Sequence, residues 1–397
     1  MKKLHAAVAL AFLCMFIILS ARTYKSRVYK KPINYGGSNP TSYVYPGEFE
    51  KQQAIWMQWP VGEYSTASNP IYPVFIDIIK ALDPYVRVNL VVQSQEEKAQ
   101  IEDLLKAKGF SGTNVSYFII NHLSIWARDV GPVFVKDSQN RLNVVDFGFN
   151  NYGRGASQYF LDTESSIDRK AAQLLKLPVI STNLVSESGG VESNGRGTIM
   201  ITESVALNRN PELTKEQIEN EYKRVLGAKK VVWLKQGLVE DDLITNGHIN
   251  EIARFASPDT ILLAQVLPED RYTNTTSQDS YLRMEENYNI LLNSTDQDGK
   301  PFRIIRIPMP PTIYGEVDDT GKIPVRSYLN YAVTNGAVLM QKYWKPGRSD
   351  KLKIIEDQVR GIFQSEFPGR NIIGINAESV NLWGGGIHCI TQHMPAD

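Results

Sequence analysis

Short apolar runs and longer stretches of helical spacing alternate along the chain in a recurring order. Ala54-Ile55-Trp56-Met57-Gln58-Trp59-Pro60 reads as a buried strand ended by proline. A helix over 74–82 and a strand over 86–92 follow. The stretch 94–108 opens with Ser94-Gln95-Glu96-Glu97, a capping-box pattern that satisfies the free N–H groups of a first helical turn. After a strand over 115–120 the order repeats: strand 142–147, helix 167–175, strand 179–180, then strand 198–201, helix 214–226, strand 231–234. Strands over 252–255 and 260–266 precede a helix over 279–293 and a strand over 302–307. A strand pair over 327–334 and 337–343 leads to a helix over 349–366, a strand over 371–375 and a short helix over 377–381. This is an α/β chain of roughly five strand–helix modules with antiparallel hairpins between them. No Gly-x-Gly-x-x-Gly carries a strand into a helix and no P-loop occurs, so a doubly wound nucleotide fold is not indicated.

With 397 residues the chain can bury a large core. Its formal charge is zero, 43 basic residues against 43 acidic, which argues against a nucleic-acid partner needing a basic face. His5, His122, His248, His388 and His393 are scattered without zinc spacing. Cys14 lies in an apolar run over 6–21 that follows Lys2 and Lys3, so Cys389 is the only thiol of the body and a disulfide framework is excluded. That run is shorter than the ~20 residues of a spanning helix. It fits the apolar part of a signal peptide, with Ser20-Ala21 as a small-residue cleavage site. Arg22, Lys25, Arg27, Lys30 and Lys31 follow it and oppose export of what lies behind them. Residues 1–21 are therefore expected to be a signal peptide or N-terminal membrane anchor, the chain's only membrane contact. The body is then exported or anchored, with anchoring on the cytoplasmic side left open. Residues 22–45, basic and rich in Tyr, Ser, Gly and Pro, read as a linker, and 46–397 as the folded body.

Chemistry concentrates in the connections. Gly384-Gly385-Gly386-Ile387-His388-Cys389-Ile390-Thr391-Gln392 sets the thiol behind three glycines that permit close backbone approach. A cysteine attacks as thiolate and needs a local field that favours it; otherwise it is a small buried hydrophobe. Ile125-Trp126-Ala127-Arg128-Asp129-Val130-Gly131-Pro132 aims an aspartate from a turn, or simply pairs it with an arginine. Glu187-Ser188-Gly189-Gly190, with Asn194-Gly195-Arg196-Gly197-Thr198, reads equally as a plain hairpin. Thr245-Asn246-Gly247-His248-Ile249-Asn250-Glu251 offers a histidine, and Asn208-Arg209-Asn210-Pro211 reads as a turn leading into a helix. In combination these are the parts of a thiol hydrolase: nucleophile Cys389, acid–base His248, orienting carboxylate Glu187, and Asp129 for a cationic substrate.

The same motifs, together with Ala253-Arg254-Phe255, resemble the agmatine deiminases and the Porphyromonas-type peptidylarginine deiminases, over most of 46–395. The resemblance implies a pentein: a five-bladed α/β propeller of approximate fivefold symmetry, as a single catalytic domain behind the N-terminal hydrophobic segment. It implies that Cys389 attacks a guanidinium carbon, His248 handles protons and Glu187 holds His248. Asp129, residue 250, Trp126 and Arg128 bind the substrate, and neither metal nor organic cofactor takes part. The partner is a small guanidino compound, agmatine, or else peptidyl-arginine; homo-oligomerisation is left open.

Two positions depart from the family pattern, and one of them matters. The residue two after the histidine is Asp in the family and Asn250 here. Loss of a charge-assisted contact to a buried cation is expected to cost about 2–5 kcal/mol, leaving a weak enzyme, a shifted substrate or a binding protein. Glu251 is adjacent, but on an extended segment it would face the opposite side. Gln341 stands where the family often has proline.

Overall fold

The computed structural model describes residues 42–65, 70–110, 112–312 and 323–396; the expected signal or anchor segment 1–21 and most of the linker lie outside them. Among the described residues the strands form five sheets, one of four strands and four of three. Each repeats one plan. Two antiparallel strands, joined by a short turn in all but the first, are followed by a helical crossover to a parallel strand on the far side of the middle one, the long connection that parallel pairing requires.

In the second module Val133–Lys136 pairs with Leu142–Gly148, and helices Gln158–Glu164 and Ile167–Leu175 lead to Val179–Val185. The third pairs Val191–Ser193 with Thr198–Thr202 and crosses through helices Glu203–Arg209 and Lys215–Leu226 to Lys230–Leu234. In the fourth the order is Ala253–Ser257, Thr260–Gln265, helix Thr275–Leu292, Arg303–Pro308. The fifth runs Ala332–Val333, Ala337–Gln341, helix Asp350–Glu366, Asn371–Ile375. The first is assembled from both ends of the body. Gln392–Pro395 lies antiparallel to Gln52–Gln58, which pairs through helix Tyr72–Leu82 with Arg87–Val92; helix Gln95–Ala107 and strand Val115–Ile119 extend it.

The middle strands are packed on both faces, which is why they are nearly continuous apolar runs. Ala337–Gln341 and Thr198–Thr202 are buried throughout. Neighbouring modules touch in chain order, and helix Tyr72–Leu82 of the first packs on Ala337–Gln341 and Asn371–Ile375 of the fifth, so the contacts run round to their starting point.

Several expectations need correction. The strand over 327–334 shrinks to Ala332–Val333. Ahead of it Ser327 Oγ donates to the Glu251 carbonyl at 2.7 Å and accepts from Leu329 N, contacts that compete with strand pairing. Ser94 caps its helix by accepting from Glu97 N, but the Glu97 carboxylate takes Gln93 N instead of closing the box. The complete capping box is Thr214 with Gln217. Val44 already bridges Lys136, so the last residues assigned to the linker pair with the body.

Candidate active site

Each module contributes to the site from the same place, the segment just ahead of its first strand. Asp129 sits in the one-turn helix Ala127–Val130 before Val133, and Glu187 leads into the turn Ser188–Gly190 before Val191. His248 precedes the 3-10 turn Ile249–Glu251, which carries Asn250, before Ala253. Asn330 stands before Ala332, and Cys389 before Gln392. Equivalent positions in a repeated fold bring residues from distant parts of the chain to one spot.

Cys389 is buried, and its sulfur accepts from Asn330 Nδ2 at 3.0 Å. Asn330 Oδ1 accepts from His388 N at 2.7 Å and Cys389 N at 3.4 Å, so one side chain holds the thiol and its backbone. This needs glycine at 386, where a Cβ would fall 2.6 Å from Asn330 Oδ1 and from Gln341 Nε2. Gly384 turns the loop at φ +96°. Gln341 braces it, donating to the Ser327 carbonyl at 2.7 Å and accepting from Asn381 Nδ2 at 2.8 Å. Asn250 Nδ2 lies 3.6 Å from the sulfur and Glu251 Oε1 3.8 Å. Burial, then the charges of Glu251 and Asp129, push the thiol well above the usual cysteine range, with the Asn330 contact opposing.

His248 is held between two carboxylates, Nε2 at 3.3 Å from Glu187 Oε2 and Nδ1 at 3.8 Å from Asp129 Oδ1. Its backbone N donates to Asp241 Oδ2 and Thr245 Oγ1. Burial works against its second proton, but Asp129, Glu187 and Asp241 outweigh this and raise its pKa. Burial would raise Glu187, yet Arg209, donating at 2.9 and 3.1 Å, and His248 bring it down to about 2. For Asp129 burial wins and lifts the pKa to about 6, despite His248. Tyr152 donates to Asp129 at 3.0 Å from a backbone at φ +58°, an uncommon conformation for a bulky aromatic.

Cys389 and Asp129 open into a cavity of about 500 Å³ walled by Trp126, Tyr64, Tyr152 and Trp383, with Glu63 and Arg154 also on its lining. Aromatic faces around a carboxylate suit a planar cation.

Beneath the nucleophile lies a second charged cluster. Glu48 accepts from Arg128, Arg254 and, at 2.8 Å, His388 Nε2. Arg128 also donates to His393 Nδ1 at 2.7 Å and to the His388 carbonyl at 3.4 Å. This corrects the assignment of Arg128 to substrate binding: its guanidinium is committed below the nucleophile and is absent from the cavity wall. Donor atoms of Glu48, His388 and His393 lie within 4.8 Å of one another, the spacing of a metal site. They do not fit a cation. His393 Nε2 is engaged by the Val333 carbonyl and its Nδ1 by Arg128, His388 is engaged at both nitrogens, and two guanidinium groups stand alongside.

A sequence profile of the Porphyromonas-type peptidyl-arginine deiminases matches residues 44–395. The chain belongs to that family. It is 30% identical over 390 residues to the agmatine deiminase of Medicago truncatula, covering 90% of this chain and 98% of the relative. The fold is similar to the agmatine deiminase of Enterococcus faecalis, with TM-score 0.76 and 28% identity over 91% of this chain and 98% of that one.

In this deiminase-family chain Cys389, Asp129 and Trp126 line the cavity, His248 lies between Asp129 and Glu187, and Asn250 touches the Cys389 sulfur. Glu251 is a correction. Residues 249–251 form a 3-10 turn and not an extended strand, so the alternation of faces fails and the Glu251 carboxyl reaches the sulfur. Arg209, read from the sequence as part of a turn, is instead the buried partner of Glu187. Asn330, Tyr152 and Glu48 carried no signal at all, being ordinary residue types whose partners are remote in sequence.

Proposed function

We propose that this chain is a hydrolase that deiminates guanidino compounds, with agmatine converted to N-carbamoylputrescine and ammonia. The observation that carries the reading is a buried thiol and a buried carboxylate, Cys389 and Asp129, lining one aromatic cavity, with His248 held between Asp129 and Glu187. Family membership and the named relatives support it. The five modules, in contact round to the first, support a five-bladed propeller.

Burial first, and then the negative charges of Glu251 and Asp129, disfavour the thiolate. A guanidinium between Asp129 and Cys389 reverses that field, so the thiolate forms when substrate is present. His248 takes the thiol proton at Nδ1, and sulfur bonds to the guanidinium carbon. The C–N bond to the departing nitrogen breaks as His248 returns the proton, releasing ammonia. Water then adds to the amidino-thioether while His248 accepts its proton, and the C–S bond breaks to give the ureido product and restore the thiol. Glu187, ionised by Arg209, holds the imidazole throughout. Holding a delocalised, poorly electrophilic cation in attack geometry supplies much of the rate.

Glu63 offers the distal ammonium of agmatine a partner on the same wall. Arg154 also lines it and suits a carbonyl, which favours peptidyl-arginine as the second reading. The apolar run 6–21 favours export or membrane anchoring of the body. Ammonia release from agmatine, free arginine and a peptidyl-arginine ester ranks the substrates. Agmatine is expected to be fastest, and no release from any of them would overturn the reading.

A further inference from the structure

The second module reaches the cavity twice. Besides Asp129 it supplies Tyr152, from the connection that follows its middle strand Leu142–Gly148. Three successive residues there, Asn151, Tyr152 and Gly153, have φ of +54°, +58° and +77°. Glycine takes that conformation freely and asparagine tolerably, but tyrosine only under constraint. The constraint is local and dense. Asn150 Oδ1 accepts from Gly153 N at 2.8 Å, Asn151 Nδ2 donates to the Gly155 carbonyl at 2.9 Å, and Arg154 donates to the Leu243 carbonyl at 3.0 Å. The guanidinium groups of Arg154 and Arg209 stand 5.3 and 5.7 Å from the Tyr152 ring centroid, and the His248 ring meets it edge to face at 5.9 Å. The outcome is the placing of one hydroxyl. It donates to Asp129 Oδ2 at 3.0 Å, while Oδ1 of the same carboxylate accepts from Gly189 N at 3.3 Å. Donors on both oxygens fix the plane of the carboxylate.

We propose that Tyr152 is a positioning residue for deimination, whose phenol holds the Asp129 carboxylate in place and keeps it ready for the substrate cation. This rests on the deiminase reading above. A hydrogen bond to a carboxylate favours its charged form, so the phenol opposes the burial that lifts Asp129 to about 6. Burial, and then Asp129 and Glu187, push the phenol well above the ordinary tyrosine range, so it keeps its proton and stays a donor. Backbone strain at such a residue persists because the surroundings over-determine it, and here it serves the site. Arg209 also holds Glu187, so one guanidinium steadies the partners of both His248 and Asp129. The other charged or titratable groups around Asp129 are His248 and Glu187 beside it and Arg128 on its own helical turn. Cys389, Glu63 and Arg154 share the cavity wall with it, and Glu164 and Asp168 lie on its far side. Tyr152→Phe keeps the ring and leaves every one of these in place, so a change in titration reports the phenol.

Carbon-13 NMR of aspartate-labelled protein reads that titration without turnover, Asp129 being identified by the signal lost in Asp129→Asn. In Tyr152→Phe the midpoint should move up from about 6 by about one pH unit, the scale of one hydrogen bond to a charged group. Kinetics on agmatine form the second arm. KM should rise roughly fivefold at pH 6 and by less than about twofold at pH 8, where Asp129 is ionised with or without the phenol. In the Asp129→Asn background Tyr152→Phe should change KM by less than about twofold at either pH, because the group it acts through is gone. An unmoved NMR midpoint, a rise in KM equal at the two pH values, or the same rise in the Asp129→Asn background would overturn the proposal. If the parent turns over no guanidino compound, the deiminase reading fails instead, and the NMR arm still decides whether the phenol governs Asp129.

Discussion

Two charged clusters flank Cys389 and are oppositely finished. Below it, Glu48 is matched by Arg128, Arg254 and His388, and the carboxylate stays well below its ordinary pKa although burial pushes the other way. On the other side, His248 Nδ1, Asn250 Oδ1 and Glu251 Oε2 have no hydrogen-bond partner among the described residues, and Asp129 is lifted to about 6. Buried polar atoms are normally satisfied, so a cluster of exceptions marks a place built for a group that arrives later. The matched cluster supplies rigidity and the unmatched one supplies affinity. Burial and charge alone would not have told them apart; the pairing does.

The largest effect should come from the nucleophile. Cys389→Ala is expected to abolish ammonia release while leaving the melting temperature near that of the parent; turnover at the parent rate would refute the assigned chemistry. The comparison of clusters is broken next by Glu48→Ala. Removing it leaves Arg128 and Arg254 short of a buried counter-charge, a loss of about 3–5 kcal/mol, read as a lower denaturation midpoint. An unchanged midpoint would mean that the lower cluster does not hold the fold. Asp129→Asn should do the reverse. Guanidinium binding should weaken by about 2–4 kcal/mol, seen as a raised KM, while stability holds or rises because a carboxylate strained by burial is gone. A variant that melts early with an unchanged KM would place Asp129 in the wrong cluster.

The modules were legible because their middle strands are packed on both faces and leave unbroken apolar runs, as in Ala337–Gln341. First strands such as Val191–Ser193 and Ala332–Val333 are too short to show a period. The site was legible where a rare residue type sat in a glycine-rich turn, as with Cys389 and His248. It was not legible for Asn330 or Tyr152, common residues whose importance lies in what they touch. Arg128 shows the limit of a motif, which fixes where a residue lies but not which way it faces. Glu251 shows the limit of periodicity, since one 3-10 turn replaces two-residue alternation.

The smallest effect is a pH dependence that separates the two acidic groups of the cavity side by sign. Guanidinium binding needs Asp129 ionised, so binding of substrate lowers its pKa from about 6. The value of 1/KM should climb as pH rises toward about 6 and level off above it, and in Asp129→Asn that limb should be lost. Stability moves the other way. The raised pKa of Asp129 means that the folded chain holds its proton more tightly than the unfolded chain. Its stabilising contribution is therefore present below the ordinary aspartate value and fades as pH rises to about 6. Glu187 is the opposite case: its pKa near 2 contributes stability above the ordinary glutamate value, lost as pH falls toward 2. Melting curves of the parent, Asp129→Asn and Glu187→Gln between these limits should diverge in those directions. Parallel curves for Asp129→Asn and the parent would show that Asp129 titrates at its ordinary value, which would remove it from the unmatched cluster.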